Sequence, residues 1–162
     1  MIIKTINDNI LESADNNIAF PINKEGYNDS GVAGKIAYYY WPEIKHCGTH
    51  ELGTVLSKTI NDRTFYALVC HSLNNGWVNQ REIIKNCFDN IPTNEIISTV
   101  TFGTGFEGFL SGANIKQILC GMYDSNKQLI LYSSFTLDDV IKCYLEENSN
   151  SKSKALKLKA IN

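Results

Sequence analysis

Thr101-Phe-Gly-Thr-Gly-Phe-Glu-Gly-Phe-Leu110 is a glycine-rich turn between an apolar, β-branched segment at 96–102 and an amphipathic segment at 111–122. The first segment predicts a buried strand and the second a helix. Glycines at 103, 105 and 108 remove side chains where the backbone must turn sharply or approach a ligand. A strand that leads through such a turn into a helix presents backbone N–H groups to an anion, most commonly phosphate. Because the spacing is neither that of the dinucleotide fingerprint nor that of a P-loop, a plain tight turn is an equally good interpretation.

Strand-like and helix-like segments alternate along the rest of the chain. Strands are predicted at 2–6, 17–22 and 129–133, a hairpin at 55–60 and 64–70, and helices at 32–41, at 78–88 and from 136. This alternation, with one hairpin inside it, predicts an α/β fold: a three-layer α/β/α sandwich with a mixed central sheet. Ligands of such sheets bind at the carboxyl ends of the strands, so the candidate loops are 23–31, 71–76 and 103–110.

Length and composition indicate one globular domain. The chain has 162 residues, of which 43% are hydrophobic and 20% charged. We expect the domain to span 1–147 and a flexible, polar and basic tail to span 148–162. The formal net charge of -2 argues against a dedicated nucleic-acid-binding surface, which would show an excess of basic residues. It allows a ligand of nucleotide size.

The cysteines and apolar segments give no sign of a cofactor or a membrane. Five cysteines are widely spread with no Cys-x-x-Cys pair, which favours a reducing cytoplasmic setting over a disulfide framework or zinc ribbon. His46-Cys47-Gly-Thr-His50 has metal-ligating residue types, but no second pair completes four ligands, so we expect no metal and no other cofactor. No apolar run approaches the length of a transmembrane helix, and the start of the chain lacks the apolar core of a signal peptide. The abundance of Asn, Ile and Lys suggests an AT-rich genome, such as that of a phage or a low-GC bacterium.

A second loop has chemistry similar to that of the first. Asn23-Lys-Glu-Gly-Tyr-Asn-Asp-Ser-Gly-Val-Ala-Gly34 also follows a predicted strand and opens a predicted helix, so the two loops could hold a diphosphate from two sides. With this loop the chain resembles the macrodomain family, an α/β/α module that binds ADP-ribose. The likeness covers residues 2–134 and is carried by four segments: Lys4-Thr-Ile-Asn-Asp-Asn-Ile10, Ile18-Ala-Phe-Pro-Ile-Asn23, Ser30-Gly31-Val32-Ala33 and Val100-Thr-Phe-Gly-Thr-Gly105.

The resemblance implies a ligand and a set of site residues. It is closest to a small, divergent branch that includes hydrolases of ADP-ribosylated glutamate or DNA bases and ADP-ribose-1''-phosphate phosphatases. The loop Cys70-His71-Ser72-Leu73-Asn74 lacks the lysine that attacks the ribose in some of these hydrolases, and Glu107 stands where an aspartate is usual. Phosphatase-like members of that branch use a histidine and an acid, so the resemblance implies His71 and Glu107 as the catalytic pair if the protein is an enzyme. The residues expected to bind the ligand are Asp8, Asn23, Ser30, Gly31, Val32, Ser72, Gly103, Thr104, Gly105, Phe106 and Tyr132.

Each of these residues also has a purely structural interpretation. A histidine is half-charged near neutral pH and can transfer protons, yet His71 at a strand end could simply be a hydrogen-bonding structural residue. Glu107 could be an exposed loop acid, Asp8 and Asn23 turn formers, and Phe106 part of the core. Three functions stay open: an ADP-ribosyl hydrolase or phosphatase, a non-catalytic reader or sponge of an ADP-ribose-related signal, and an unrelated nucleotide-binding domain that would not prefer ADP-ribose over AMP. The expected partners are ADP-ribose or a related nucleotide and, in addition, an ADP-ribosylated protein or nucleic acid, but no membrane.

Overall fold

The computed structural model describes residues 1–102 and 112–161, with side chains over 1–102 and 112–150. The described residues form six strands: β1 (Ile2–Ile6), β2 (Asn17–Asn23), β3 (Val55–Ile60), β4 (Arg63–His71), β5 (Ile97–Val100) and β6 (Leu129–Tyr132). They also form four α-helices: α1 (Gly31–Tyr39), α2 (Gln80–Asp89), α3 (Gly112–Asp124) and α4 (Leu137–Ile161). Short 3₁₀ helices span Ile10–Glu12 and Pro42–Lys45.

The sheet is mixed, with the strand order β1-β6-β5-β2-β4-β3. All neighbouring pairs from β1 to β4 are parallel, whereas β3 pairs with β4 in the antiparallel direction. The turn of this predicted hairpin has positive φ at both Asn61 (49°) and Asp62 (65°). Short polar residues tolerate that conformation, and two in succession suit the twist of a hairpin. Because β1, β6, β5, β2 and β4 run parallel to one another, the carboxyl ends of these five strands lie at the same edge of the sheet.

Strand β4 shows how the sheet is covered on both faces. Phe65, Ala67 and Val69 pack in the cluster that surrounds α1 and the 3₁₀ helices. The alternate residues Tyr66 and Leu68 pack in the cluster formed with α2, α3 and α4. Because side chains alternate along a strand, a nearly continuous apolar run needs cover on both faces. The predicted three-layer sandwich with a mixed sheet is thereby confirmed.

Helix α4 begins with a reciprocal cap and runs further than the sequence suggested. The backbone N–H of Asp139 donates to Thr136 Oγ1 (3.1 Å), and the backbone N–H of Thr136 donates to Asp139 Oδ2 (3.1 Å). Helix α4 extends to Ile161 through the positions of the expected polar tail at 148–162, and the flexibility of that tail stays a prediction. None of the helices in the described part of the chain is long and apolar enough to cross a membrane.

Candidate functional site

The carboxyl ends of the parallel strands bring the predicted site residues to one edge. Tyr132 ends β6 and is in register with Ile6 of β1 and Val100 of β5. Asn23 ends β2 and is in register with His71, which ends β4. The loops that follow these strands carry three further predicted residues: Asp8, Ser30 and Ser72. The edge is therefore the candidate site.

The side chain of Asn23 shapes the loop between β2 and α1. Its Oδ1 accepts hydrogen bonds from the backbone N–H groups of Gly26 (2.8 Å) and Tyr27 (3.1 Å). Its Nδ2 donates to the carbonyl of Tyr27 (2.5 Å), and the residue is 1% exposed. Asn23 is thus a buried loop former here, and the direct ligand contact suggested by the sequence stays a prediction.

A second asparagine, Asn28, fixes the same loop from inside. It is fully buried, its Oδ1 accepts from the backbone N–H of Asn23 (3.1 Å), and its Nδ2 donates to the Ile44 carbonyl (3.0 Å). Gly26 has a φ of +83°, and an added Cβ there would overlap the carbonyl of Gly48. These constraints bind the loop to the segment after α1 and set the position at which α1 begins.

The start of α1 is open. Ser30 is the N-cap residue in an extended conformation, but its side chain makes no capping hydrogen bond. Gly31 has a φ of +62°, a conformation that favours glycine, and no described residue lies within 4 Å of the position of an added Cβ. Val32 is half-buried against the core around α1. The first N–H groups of a helix have no intrahelical acceptor, so this end of α1 can receive an anion.

Ser72 and Glu25 join the loops that follow β4 and β2. The Ser72 hydroxyl donates to the Glu25 carboxylate and accepts from the backbone N–H groups of Asn74 (3.1 Å) and Asn75 (3.2 Å). The backbone N–H of Leu73 donates to Glu25 Oε2 (2.9 Å). Slight burial opposes these hydrogen bonds, but together they hold the pKa of Glu25 below its ordinary value, so the carboxylate is charged at neutral pH. The Ser72 hydroxyl is already engaged within the fold, and its contact with a phosphate stays a prediction.

His71 is buried beside Trp77. It is 2% exposed, and its ring stacks on Trp77 with 4.4 Å between ring centroids and 9° between planes. Among the residues that the structure describes, neither His71 Nε2 nor Trp77 Nε1 has a hydrogen-bond partner, although both atoms are buried. Burial lowers the pKa of His71 to about 4, against an opposing effect of the Glu25 charge. The ring is therefore neutral at pH 7, whereas a histidine with an ordinary pKa would be partly charged near neutral pH.

Asp8 and Tyr132 lie at the β1–β6 side of the edge. Asp8 is exposed, and its Oδ1 accepts from the backbone N–H of Asn9 (2.9 Å). The Tyr132 hydroxyl donates to Asp15 Oδ2 (2.7 Å), which also accepts from Ser98 Oγ (2.6 Å). Burial and the Asp15 carboxylate raise the pKa of Tyr132. Because this hydroxyl already donates to Asp15, Tyr132 would contact a ligand through its ring.

The second glycine-rich loop, at 103–110, lies outside the described residues. Five predicted site residues lie outside the described residues: Gly103, Thr104, Gly105, Phe106 and Glu107. Within the described ranges, no group of three or more His, Cys, Asp or Glu side chains could hold a metal ion.

Comparisons with known proteins identify the architecture. No family model and no curated protein matches the sequence. A glycine-to-valine mutant of the Oceanobacillus iheyensis macrodomain, solved with ADPR, matches with a TM-score of 0.62 at 18% identity, over 92% of this chain and 92% of that chain. The macrodomain of Thermus aquaticus DarG matches with a TM-score of 0.55 at 11% identity, over 82% of this chain and 97% of that chain. The fold is that of a macrodomain.

The same macrodomain fold matches part of a larger viral chain. Alphavirus P23pro-zbd gives a TM-score of 0.58 at 14% identity, over 94% of this chain and 24% of that chain. This protein thus spans about a quarter of the length of that relative. At such identities the likeness shows the fold alone.

Three residues that shape this edge of the sheet, Glu25, Asn28 and Trp77, are not among those that the sequence predicts. Asn28 and Glu25 lie in a polar loop with several residues of similar type, and only their hydrogen bonds distinguish them. Trp77 carried a usable signal, because a large aromatic residue directly after a polar loop needs either a core or a ligand to cover it. The predicted loop at 71–76 ended one residue before it.

Proposed function

We propose that this macrodomain binds ADP-ribose or a close derivative at the carboxyl edge of its sheet, with the diphosphate at the start of α1. The observation that carries the proposal is the geometry of Gly31, whose φ of +62° and open surroundings leave the first turn of α1 accessible. A helix start with unpaired N–H groups favours phosphate. The ADPR-containing macrodomain structure that shares the fold supports this choice of ligand.

The strand order suggests how an extended nucleotide lies along the edge. Asp8 follows β1, Tyr132 ends β6, the start of α1 follows β2, and His71 ends β4. We therefore place the adenine beside Asp8, where a carboxylate can accept from its exocyclic amine. The diphosphate lies between the start of α1 and residues 103–108, and the terminal ribose lies towards His71.

We further propose that a bound derivative is hydrolysed. The reaction would release ADP-ribose from a modified protein or nucleic acid, or phosphate from ADP-ribose-1''-phosphate. A neutral His71 carries one donor and one acceptor nitrogen, which suits it to orienting water or a hydroxyl rather than to donating a proton from a charged state. Glu107 would supply the carboxylate that activates the water.

A non-catalytic reader or sponge of ADP-ribose-related nucleotides is the second candidate. Two observations favour it. The loop at 70–74 contains no lysine, and the polar side chains of Asn23 and Ser72 are engaged by the protein's own backbone. Such a site can bind a nucleotide without supplying a nucleophile.

Calorimetry and a turnover assay test these functions together. We expect ADP-ribose to bind more tightly than AMP. Release of ADP-ribose from an ADP-ribosylated peptide or oligonucleotide, or of phosphate from ADP-ribose-1''-phosphate, should fall in both His71→Ala and Glu107→Ala if the protein is a hydrolase. Binding without turnover would assign the reader. The absence of heat with either nucleotide would contradict both.

A further inference from the structure

Strand β3 forms an open edge of the sheet. It stands at the end of the strand order and, among the strands that the structure describes, pairs with β4 alone. Its register with β4 runs without a shift from Val55 to Ile60. Ser57 and Thr59 are exposed, so short side chains border this edge. An edge strand of this kind presents unpaired backbone N–H and C=O groups to a further strand.

The hairpin with β4 fixes which backbone groups of β3 face outward. The two-residue turn makes Ile60 and Arg63 a hydrogen-bonded pair. At the other end of the strand, the backbone N–H of Val69 donates to the Thr54 carbonyl (3.0 Å), which gives the same phase. Hydrogen-bonded and non-hydrogen-bonded pairs alternate along an antiparallel ladder, so the intervening residues direct their N–H and C=O groups away from β4. These residues are Val55, Ser57 and Thr59.

The outward groups of β3 are complementary to those of a second β3. A copy turned about a two-fold axis at Ser57 places the two Ser57 residues opposite each other and Val55 opposite Thr59. All of these pairs are of the hydrogen-bonded kind on the outer side, so about six backbone hydrogen bonds can form. Val55 and Thr59 are both β-branched, and such cross-strand pairs stabilise a sheet.

The one charged side chain of β3, that of Lys58, does not guard the edge. Lysines commonly keep edge strands apart, because a second strand would have to cover an unpaired ammonium group. Lys58 Nζ donates to Glu43 Oε2 (3.0 Å), so its charge is paired within the protein. In the two-fold register Lys58 lies opposite Leu56 of the second copy. An approaching β3 therefore meets an ion pair and an apolar side chain, and the two lysines do not face each other.

The other edge of the sheet, β1, lacks these properties. Its pairing with β6 shifts register between Ile2 and Lys4, and such irregularities blunt an edge. Lys4 is exposed and has no ion pair among the described residues. Of the two edges, β3 is therefore the one suited to pairing.

We propose that β3 is a self-association surface, through which two copies of this chain join as antiparallel strands with Ser57 on the two-fold axis. The two sheets then form one continuous sheet. Because the axis pairs β3 with itself, the contact is closed and gives a dimer rather than a fibre. This dimer does not depend on nucleotide binding, since the two candidate sites lie at opposite edges of the joined sheet.

Sedimentation of the full chain, from low micromolar to near-millimolar concentration, tests the association. We expect a reversible equilibrium between monomer and dimer. Ser57→Pro removes the outward N–H on the axis, and proline is tolerated on an edge strand where that side faces solvent. Each dimer loses two hydrogen bonds, so dimerisation should weaken by about tenfold or more. Ser57→Thr keeps the N–H and, as the matched control, should dimerise like the wild type. Urea unfolding checks that both variants fold.

Cysteines on β3 read the register without a proline. The Cα atoms of a hydrogen-bonded antiparallel pair lie about 5.5 Å apart, within reach of a disulfide. Ser57→Cys should therefore form a covalent dimer in oxidised glutathione. Thr59→Cys should form far less, because the two Thr59 residues lie about 14 Å apart along the strands. The wild type, with its five cysteines, sets the background.

The outcomes decide the proposal. A wild-type protein that stays monomeric at every concentration would overturn the association. A dimer that persists in a folded Ser57→Pro, or equal cross-linking of Ser57→Cys and Thr59→Cys, would overturn the β3 contact. Weaker association of Ser57→Pro together with preferential cross-linking of Ser57→Cys would support it.

Discussion

The backbone N–H of Asn23 donates to Oδ1 of Asn28, 3.1 Å away, and the loop between β2 and α1 closes around this bond. Both residues are buried, at 1% and 0% exposure. One asparagine ends a strand and the other organises the approach to a helix start. The position of the proposed diphosphate site therefore depends on a hydrogen bond inside the loop rather than on a side chain that touches the ligand.

Asn28→Ala tests that dependence. The substitution leaves the Asn23 N–H and the Ile44 carbonyl without their partner, so we expect the free energy of unfolding to fall by about 2–3 kcal/mol. The affinity for ADP-ribose should fall as well, because the start of α1 loses its fixed position. Urea unfolding and calorimetry measure the two effects. Asn126→Ala, at an exposed position, is the control and should change little. Equal stability and affinity in both variants would show that Asn28 does not organise the loop.

Gly31→Val tests the helix start. Gly53 provides a matched control, since it also has a positive φ (+92°) and open space around an added Cβ. Both valine substitutions should lower the free energy of unfolding by about 1–2 kcal/mol through backbone strain. Only the change at Gly31 should also weaken ADP-ribose binding, by about tenfold or more, because its side chain would stand where the phosphate approaches. Similar affinities in the two variants would argue against a phosphate at α1.

His71 should make the protein sensitive to mild acid. Its pKa is lowered from 6.5 to about 4 by burial, so the folded state binds fewer protons than the unfolded state between these values. The stabilisation is complete above about pH 6.5 and is lost as the pH falls towards 4, by up to about 3 kcal/mol. His71→Phe lacks this loss. Urea unfolding at pH 7 and pH 4.5 should therefore show a smaller decline for the variant than for the wild type, and parallel declines would refute the assignment.

Asp124→Asn tests how α4 is joined to the body of the domain. The Asp124 carboxylate accepts from Arg81 Nε (2.6 Å) and from the Tyr144 hydroxyl (2.6 Å), which links α2, α3 and α4. Loss of the charge should lower the free energy of unfolding by about 1–2 kcal/mol, since hydrogen bonds to charged groups are stronger than neutral ones. Lys85→Ala, which removes a partly exposed i, i+4 ion pair with Asp89, should have a smaller effect. A larger effect at Lys85 would contradict this account.

The layers of the fold follow from local rules that a sequence displays. The apolar run at 64–70 predicts a strand covered on both faces, and the clusters around Phe65 and Tyr66 show that cover. The hairpin between β3 and β4 turns at Asn61 and Asp62, two short polar residues that tolerate positive φ. The end of α4 could not be predicted from composition, because Ser, Asn and Lys are typical of tails and yet tolerated in helices.

The candidate site could be located from the sequence but not resolved into roles. The sequence places the loops at 23–31 and 71–76 after strand ends, and the structure puts Asn23 and His71 in register at one edge, with Tyr132 at the end of β6 on the same edge. Which polar atoms remain available there depends on partners far away in the chain. The Asp15 carboxylate accepts a hydrogen bond from the hydroxyl of Tyr132, 117 positions away in the sequence. The Glu25 carboxylate accepts one from the hydroxyl of Ser72, 47 positions away. No local sequence pattern predicts hydrogen bonds between residues so far apart.

A crystal structure of the protein with ADP-ribose tests the central claim most directly. We predict the diphosphate between the N–H groups at the start of α1 and residues 103–108, with the adenine towards Asp8. A ligand bound elsewhere, for example in the apolar groove between α3 and α4 that Ile115 and Phe135 line, would contradict it.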